Sequence, residues 1–227
     1  MRPPYPRSRR WAGGLGLLLL SLRAPAQEAR SLALKFTPQY LVVSGFWLEA
    51  ERPRAGHPTQ TLTLAPQVYW GPTGRPDVAF DPSPLNRDGT VRGAGLQVQQ
   101  RFYLANAGAH PYPTGWYLGY GPQVQFFRLG FSRISWHEET GPGDLPYLVY
   151  GPIRYHETVL RYGASGQVGY QLPLAQRVLL DVYAGVGLRQ SHYWSSFAES
   201  QYRSGPSDYA DRGVYFPVGF KLGVALR

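Results

Sequence analysis

The sequence predicts an all-β protein, an antiparallel up-and-down transmembrane β-barrel of eight strands. Three observations carry that expectation. First, residues 213–227 read G-V-Y-F-P-V-G-F-K-L-G-V-A-L-R, with Val214, Phe216, Val218, Phe220, Leu222, Val224 and Leu226 at every second position. Alternate side chains of a strand point to opposite faces, so one face is large and apolar and the other small or polar. The run is longer than the usual strand of about five or six residues and reaches the roughly 9–11 residues that a membrane-spanning strand needs. Second, no apolar run beyond the N-terminal region is long enough for a membrane helix, which leaves a closed barrel as the means of spanning a bilayer. Third, the less apolar face of the strands carries charges, Gln, Tyr and Gly. That set suits a polar interior rather than the core of a soluble sandwich, where each buried charge needs a partner.

The N-terminal region reads as an export address. Arg2, Arg7, Arg9 and Arg10 form a basic segment, residues 12–22 an apolar core, and Ala24-Pro25-Ala26 an A-x-A cleavage site. Residues 1–26 are therefore expected to be a secretory signal peptide, too short for a transmembrane helix, and residues 27–227 one barrel domain. The formal charge of +9 shrinks once the five arginines before residue 27 are set aside, to 18 basic against 14 acidic residues, a net +4. That balance offers no nucleic-acid footprint, so no nucleic-acid partner is expected. The absence of cysteine excludes a lipoprotein anchor, disulfides and thiolate metal sites. Aromatic residues make up 15% of the chain and tyrosine leads them, as suits a membrane–water interface.

Taken in order, residues 33–43 are the first extended stretch, followed by a tight turn at Ser44-Gly45. Residues 45–52 set Phe46, Leu48 and Ala50 against Trp47, Glu49 and Glu51. Residues 60–70 align Leu62, Leu64, Val68 and Trp70. Residues 94–105 oppose Leu96, Val98, Phe102 and Leu104 to Gln97, Gln99, Arg101 and Tyr103, with Gln100 the one misfit. In residues 115–131, Trp116, Leu118, Tyr120, Val124 and Phe126 share the apolar face. Residues 155–172 alternate Leu160, Tyr162 and Val168 with Arg161, Gly163 and Gln167. Residues 177–190 alternate Val178, Leu180 and Val182 with Arg177, Asp181 and Arg189, and residues 213–227 close the set. The connections at 53–59, 106–114 and 173–176 are short, and those at 71–93, 132–154 and 191–212 are long. Bacterial barrels keep short turns on the periplasmic side and long loops outside, so three extracellular loops are expected. Pro38, Pro66, Pro122 and Pro217 fall inside strands. Proline cannot donate to a ladder, so bulges or strand ends are expected there.

The apolar faces are expected to meet lipid. An eight-stranded barrel has an interior just wide enough for side chains to fill. Glu49, Glu51, Arg101, Arg161, Asp181 and Lys221 then form an interior charge cluster, a structural site that pairs its own charges and plugs the barrel. Closure sets the first and last strands side by side, which brings Glu49 towards Lys221.

Leu34-Lys35-Phe36-Thr37-Pro38, followed by Leu48-Glu49-Ala50-Glu51-Arg52, matches an L-K-x-x-P segment that leads into a strand ending in Y-E-R or similar. On these motifs the chain resembles the small bacterial outer-membrane β-barrels of the OmpA/OmpX type. It is similar to an uncharacterised family of eight-stranded barrels over residues 34–227. The resemblance implies a Gram-negative outer-membrane location, with outer-membrane lipid and the barrel-assembly machinery as partners. Such barrels often close on an aromatic residue read by that machinery. This sequence closes on Leu226-Arg227, with Phe216 and Phe220 as substitutes.

The same residues carry little of the chemistry known in barrel enzymes. No histidine has serine two positions on, the pair expected of a barrel lipid A deacylase, and residues 27–32 are too short for the amphipathic helix of a palmitoyl-transferase barrel. Ser191-His192 with Ser195-Ser196 forms a conceivable nucleophile–base group at a strand end. His137-Glu138-Glu139, Asp144 and His156-Glu157 offer nitrogen and oxygen donors for a divalent metal. Both sets read first as polar loop residues, so no catalytic, cofactor or metal site is expected. The leading function is a non-enzymatic envelope barrel with a plugged polar interior, whose loops meet an extracellular or envelope protein ligand. An outer-leaflet lipid-modifying or hydrolytic enzyme and a narrow channel or transport accessory are the alternatives.

Overall fold

Each strand is long enough to pair along its length with the next, and the last returns to the first. The structure is a computed structural model that describes residues 32–73, 89–104, 113–141, 143–196, 202–203 and 208–226. The expected signal peptide, most of the connection at 106–114 and much of the loops at 71–93 and 191–212 lie outside the described residues. The strands are β1 (Leu32–Phe36), β2 (Gly45–Arg54), β3 (His57–Pro72), β4 (Thr90–Tyr103), β5 (Gly115–Thr140), β6 (Pro146–Pro173), β7 (Val178–Ser195), β8 (Gly213–Tyr215) and β9 (Val218–Leu226). Every pairing is antiparallel. Each strand from β1 to β6 pairs with its successor, β7 pairs with both β8 and β9, and β9 pairs with β1, so the sheet closes into a ring. β8 and β9 are two segments of one closing stave, which makes eight staves from nine strands. Closure removes the free edges of the ring, the feature that otherwise invites pairing with another chain.

Alternation decides which side chains point inward. Leu48, Leu64, Val68, Leu118, Val182 and Val218 stand exposed outside, while Glu49, Glu51, Arg101 and Asp181 are buried within. Gln100, the misfit, lies on the outside and donates to Gln60 Oε1 at 3.3 Å while accepting from the Tyr120 hydroxyl at 3.5 Å. A neighbouring amide and a phenol thus satisfy a polar group among apolar ones.

The first expected strand is shorter than its sequence suggests. Residues 33–43 divide into β1 and a 3-10 helix, Pro38–Val43. Thr37 N–H donates the last bond to Trp47 O at 3.2 Å. Pro38 then opens the helix without a donor to contribute, and Ser44 closes it at φ 53, donating its N–H to Leu41 O at 3.0 Å. Pro217 sits between β8 and β9, so it too marks an interruption. Pro66 and Pro122 do neither of the expected things. On one side of each, two residue pairs of the ladder are lost, with the register unchanged beyond the gap; on the other side Pro66 pairs with Leu96 and Pro122 with Ala164. The expected turn at 53–59 is tighter, with Ala55-Gly56 at its tip, Gly56 at φ +74 and a register shift at Pro53/Arg54.

The long loop expected at 132–154 is instead an extension of the sheet. β5 and β6 remain paired from Phe131↔Tyr155 out to Thr140↔Pro146, forming a two-stranded ribbon beyond their neighbours. β-branched and aromatic residues (Ile134, Trp136, Val149, Tyr150) favour this strand pairing. β7 likewise continues to Ser195.

Candidate functional site

The interior is built in three storeys, counted from the end at which Leu32 pairs with Leu226. The lowest is a network of six charges. Lys35 comes from β1, Glu49 and Glu51 from β2, Arg101 from β4, Asp181 from β7 and Lys221 from β9. Register sets Lys35 opposite Glu49 and Asp181 opposite Lys221. Lys35 Nζ lies 2.5 Å from Glu51 Oε2, 2.8 Å from Asp181 Oδ2 and 3.6 Å from Glu49 Oε1. The Arg101 guanidinium spans all three acids, at 2.8 Å from Glu49, 3.1 Å from Glu51 and 3.0 Å from Asp181. Lys221 Nζ reaches Glu49 Oε2 at 2.5 Å. Three cations meet three carboxylates, and none of these side chains is more than 5% exposed.

Neutral donors complete the network. The hydroxyls of Thr61 and Tyr103 donate to Glu51 Oε1 at 2.6 and 2.8 Å, and the Tyr117 hydroxyl donates to Asp181 Oδ1 at 2.7 Å. Lys35 also donates to the Gln171 carbonyl oxygen. Arg101 lies over the Tyr117 ring, 4.7 Å from its centroid. Pairing and hydrogen bonding together make buried charges tolerable. Space comes from missing side chains opposite: a Cβ on Gly223 would stand 2.7 Å from Lys35 Cγ, and one on Gly169 would collide with the Tyr117 ring.

The middle storey is an amide layer. Gln167 donates to Gln99 Oε1 at 2.9 Å, and Gln125 donates to both Gln67 Oε1 and the Tyr69 hydroxyl at 2.7 Å. A cavity of about 60 Å³, lined in part by Gln97, Gln123, Tyr183 and Lys221, has room for a few water molecules. The upper storey is aromatic. Trp47, Tyr69, Phe127 and Phe131 pack with Tyr202, Tyr209 and Ala210 from the last connection. The described residues of that connection reach into the barrel mouth: the Tyr209 hydroxyl donates to Val43 O at 3.0 Å, and Ala210 N–H to Tyr202 O at 2.8 Å. It is therefore not wholly the displayed loop expected of residues 191–212.

Of the six residues expected to cluster, the structure brings together Glu49, Glu51, Arg101, Asp181 and Lys221. Arg161 stands apart. Its position on β6 pairs with Gln125 and Ser191, while Asp181 pairs with Gln171, ten residues further along the same strand and so about 33 Å of extended chain. Arg161 donates to Gln125 Oε1 at 2.7 Å and to Asp208 O at 3.0 Å, and lies over the Phe127 ring. Lys35 is the member the expected cluster lacks. Its signal was parity: Ala33, Lys35 and Thr37 alternate with Leu34 and Phe36. Arg177 falls in the exposed turn after β6 rather than inside, and Arg189 pairs with Asp211 at 2.5 Å.

The other candidate chemistries are dispersed. The Ser191 hydroxyl donates to Ala210 O, whereas the adjacent His192 ring points to the opposite face, 3.2 Å from the Tyr162 hydroxyl. Ser196 Oγ bonds the His156 backbone, accepting from its N–H at 2.9 Å. On the ribbon, His137 lies 3.0 Å from Glu139, which also accepts from Tyr147 at 3.2 Å. These bonds, the one from His137 foremost, hold the Glu139 carboxyl below its ordinary range. Among the described residues no three His, Asp or Glu side chains converge as metal ligands would.

A closed antiparallel barrel with its charges inside and its apolar side chains outside defines the class: an inside-out β-barrel. No family model matches the chain, and no curated protein matches it. Two solved structures are similar in chain trace. One is the crystal structure of Acinetobacter baumannii CarO, 8% identical, with a TM-score of 0.42, covering 86% of this chain and 96% of that one. The other is that of Acinetobacter baumannii CarO2, 9% identical, with a TM-score of 0.39, covering 87% and 97%. Likeness at this level carries no argument about function.

Proposed function

We propose that the protein is a non-enzymatic barrel of the Gram-negative outer membrane, closed by its own interior and serving envelope structure or surface contacts. The observation that carries this reading is the inversion of polarity around a closed ring. Six fully or almost fully buried charges lie within, and a belt that includes Leu48, Leu64, Val68, Leu118, Val182 and Val218 lies outside, exposed. In water such a belt is costly, whereas in lipid it is the required surface, and closure pairs backbone donors that lipid cannot satisfy. The plug rests on the charge network: three cations and three carboxylates cross the lumen and bind one another. In this reading the end at which Leu32 pairs with Leu226 faces the periplasm. The ribbon of β5 and β6 stands outside the cell as the surface for an extracellular or envelope protein ligand, and assembly depends on the barrel-assembly machinery.

Envelope fractionation tests the address. The protein is expected in outer-membrane fractions, with resistance to carbonate extraction and with its ribbon cut by protease added to whole cells. Recovery in the soluble periplasmic fraction would refute the membrane reading.

A further inference from the structure

The outside of the barrel carries a basic recess that the interior plug does not use. At the end opposite the Leu32–Leu226 pairing, the outward positions of β4 to β6 turn from apolar to basic. Trp70 and Phe126 are at the edge of the apolar belt, and Arg92, Arg128, Arg154 and His156 lie next to it. Register sets Arg92 directly opposite Arg128. Like charges facing each other across a strand pair oppose pairing unless something neutralises them. Gly130 forms the floor: Thr90 Oγ1, His156 Nδ1 and Arg154 Nη2 lie 3.0, 3.7 and 4.0 Å from where its Cβ would stand. Arg92 is held over the Trp70 ring at 5.1 Å and Arg128 near the Phe126 ring at 6.0 Å. The open recess between them has a volume of about 420 Å³. Among the described residues, no carboxylate lies within 4.0 Å of any of these three guanidinium groups.

We infer that this recess binds the phosphate group of a membrane lipid headgroup. Guanidinium groups match phosphate oxygens in charge and geometry, and the Thr90 hydroxyl and a His156 ring N–H add donors on the same side. The two rings beneath the arginines face outward at the top of the apolar belt, where a lipid's acyl chains lie and where free phosphate would gain nothing. The inference rests on the membrane reading and deepens it.

The test uses the purified barrel inserted in phosphatidylcholine vesicles, with spin-labelled phosphatidic acid or spin-labelled phosphatidylcholine as probe and heat-modified gel mobility as the check on insertion. Wild type is expected to select phosphatidic acid over phosphatidylcholine by about tenfold. Arg92→Gln/Arg128→Gln/Arg154→Gln should bring the preference to within about twofold, and Arg128→Gln alone should lower it in part. Arg52→Gln/Arg54→Gln, at the opposite end, should leave it unchanged. An inserted wild type without preference overturns the inference and leaves the membrane reading standing, as does a triple variant that keeps the full preference. Displacement of phosphatidic acid by an equal concentration of inorganic phosphate would assign the recess to free phosphate and refute the lipid. Failure to insert in any vesicle overturns both readings.

Discussion

Asp181 holds three donors at once: Lys35 Nζ at 2.8 Å, Arg101 Nη1 at 3.0 Å and the Tyr117 hydroxyl at 2.7 Å. Removing the carboxylate leaves two cations facing each other inside the barrel. Asp181→Ala is therefore expected to destabilise by about 3–5 kcal/mol, read by equilibrium urea unfolding in lipid vesicles. Glu138→Ala, exposed on the ribbon, should stay within about 0.5 kcal/mol. Adding Lys35→Met to Asp181→Ala should cost less than the two single changes summed, because the second change removes a stranded charge. Additive costs would mean that the two groups do not share a network. Asp208 would be a poor comparator: it reads as a loop residue in the sequence yet is only 3% exposed, its carbonyl held by Arg161. Alternation made Glu49, Glu51, Arg101, Asp181 and Lys221 legible as inward residues. It was silent on depth, which depends on register, and register depends on strand ends that proline and loop geometry set. Arg161 has the right face at the wrong height for that reason. Lys35 was obscured because residues 33–43 looked like one strand, whereas only Leu32–Phe36 alternates.

Among the elements, the outer faces and the ribbon carry separate expectations. Leu64 sits near the middle of β3, exposed on the apolar belt and opposite Val98. Leu64→Arg should cost about 2–4 kcal/mol in vesicles, whereas Glu138→Arg on the ribbon should cost almost nothing. The reverse order would mean that the faces are exchanged. Beyond Phe131 and Tyr155, β5 and β6 pair with one another out to Thr140↔Pro146. Replacing residues 135–151 with a short turn is therefore expected to leave the unfolding midpoint of the barrel unchanged, and a large fall would show that the ribbon packs on the mouth. Strand existence was readable from period alone in every stave, since a period of two survives at each. The ribbon was not, because Gly141, Gly143, Gly151 and three prolines within 132–154 carry loop composition, while the pairing that overrides it depends on a neighbour 6 to 24 residues away.

The whole molecule is a ring whose interior holds paired charges at one end, bonded amides in the middle and packed aromatic rings at the other. Neither end depends on the other for its partners, so a lesion in one storey should leave the remaining two closed. The ring itself was foreseeable from the closing strand and from the inverted polarity of the faces. The aromatic seal was not, because Tyr202 and Tyr209 lie in a connection whose path into the mouth leaves no periodic trace. The most direct measurement of the central claim is a planar-bilayer recording of the purified wild-type barrel. The account predicts no steady porin-like conductance, and none in Asp181→Ala alone, since the upper seal remains. A large, stable open channel in the wild type would contradict the plug and the reading of the interior that rests on it.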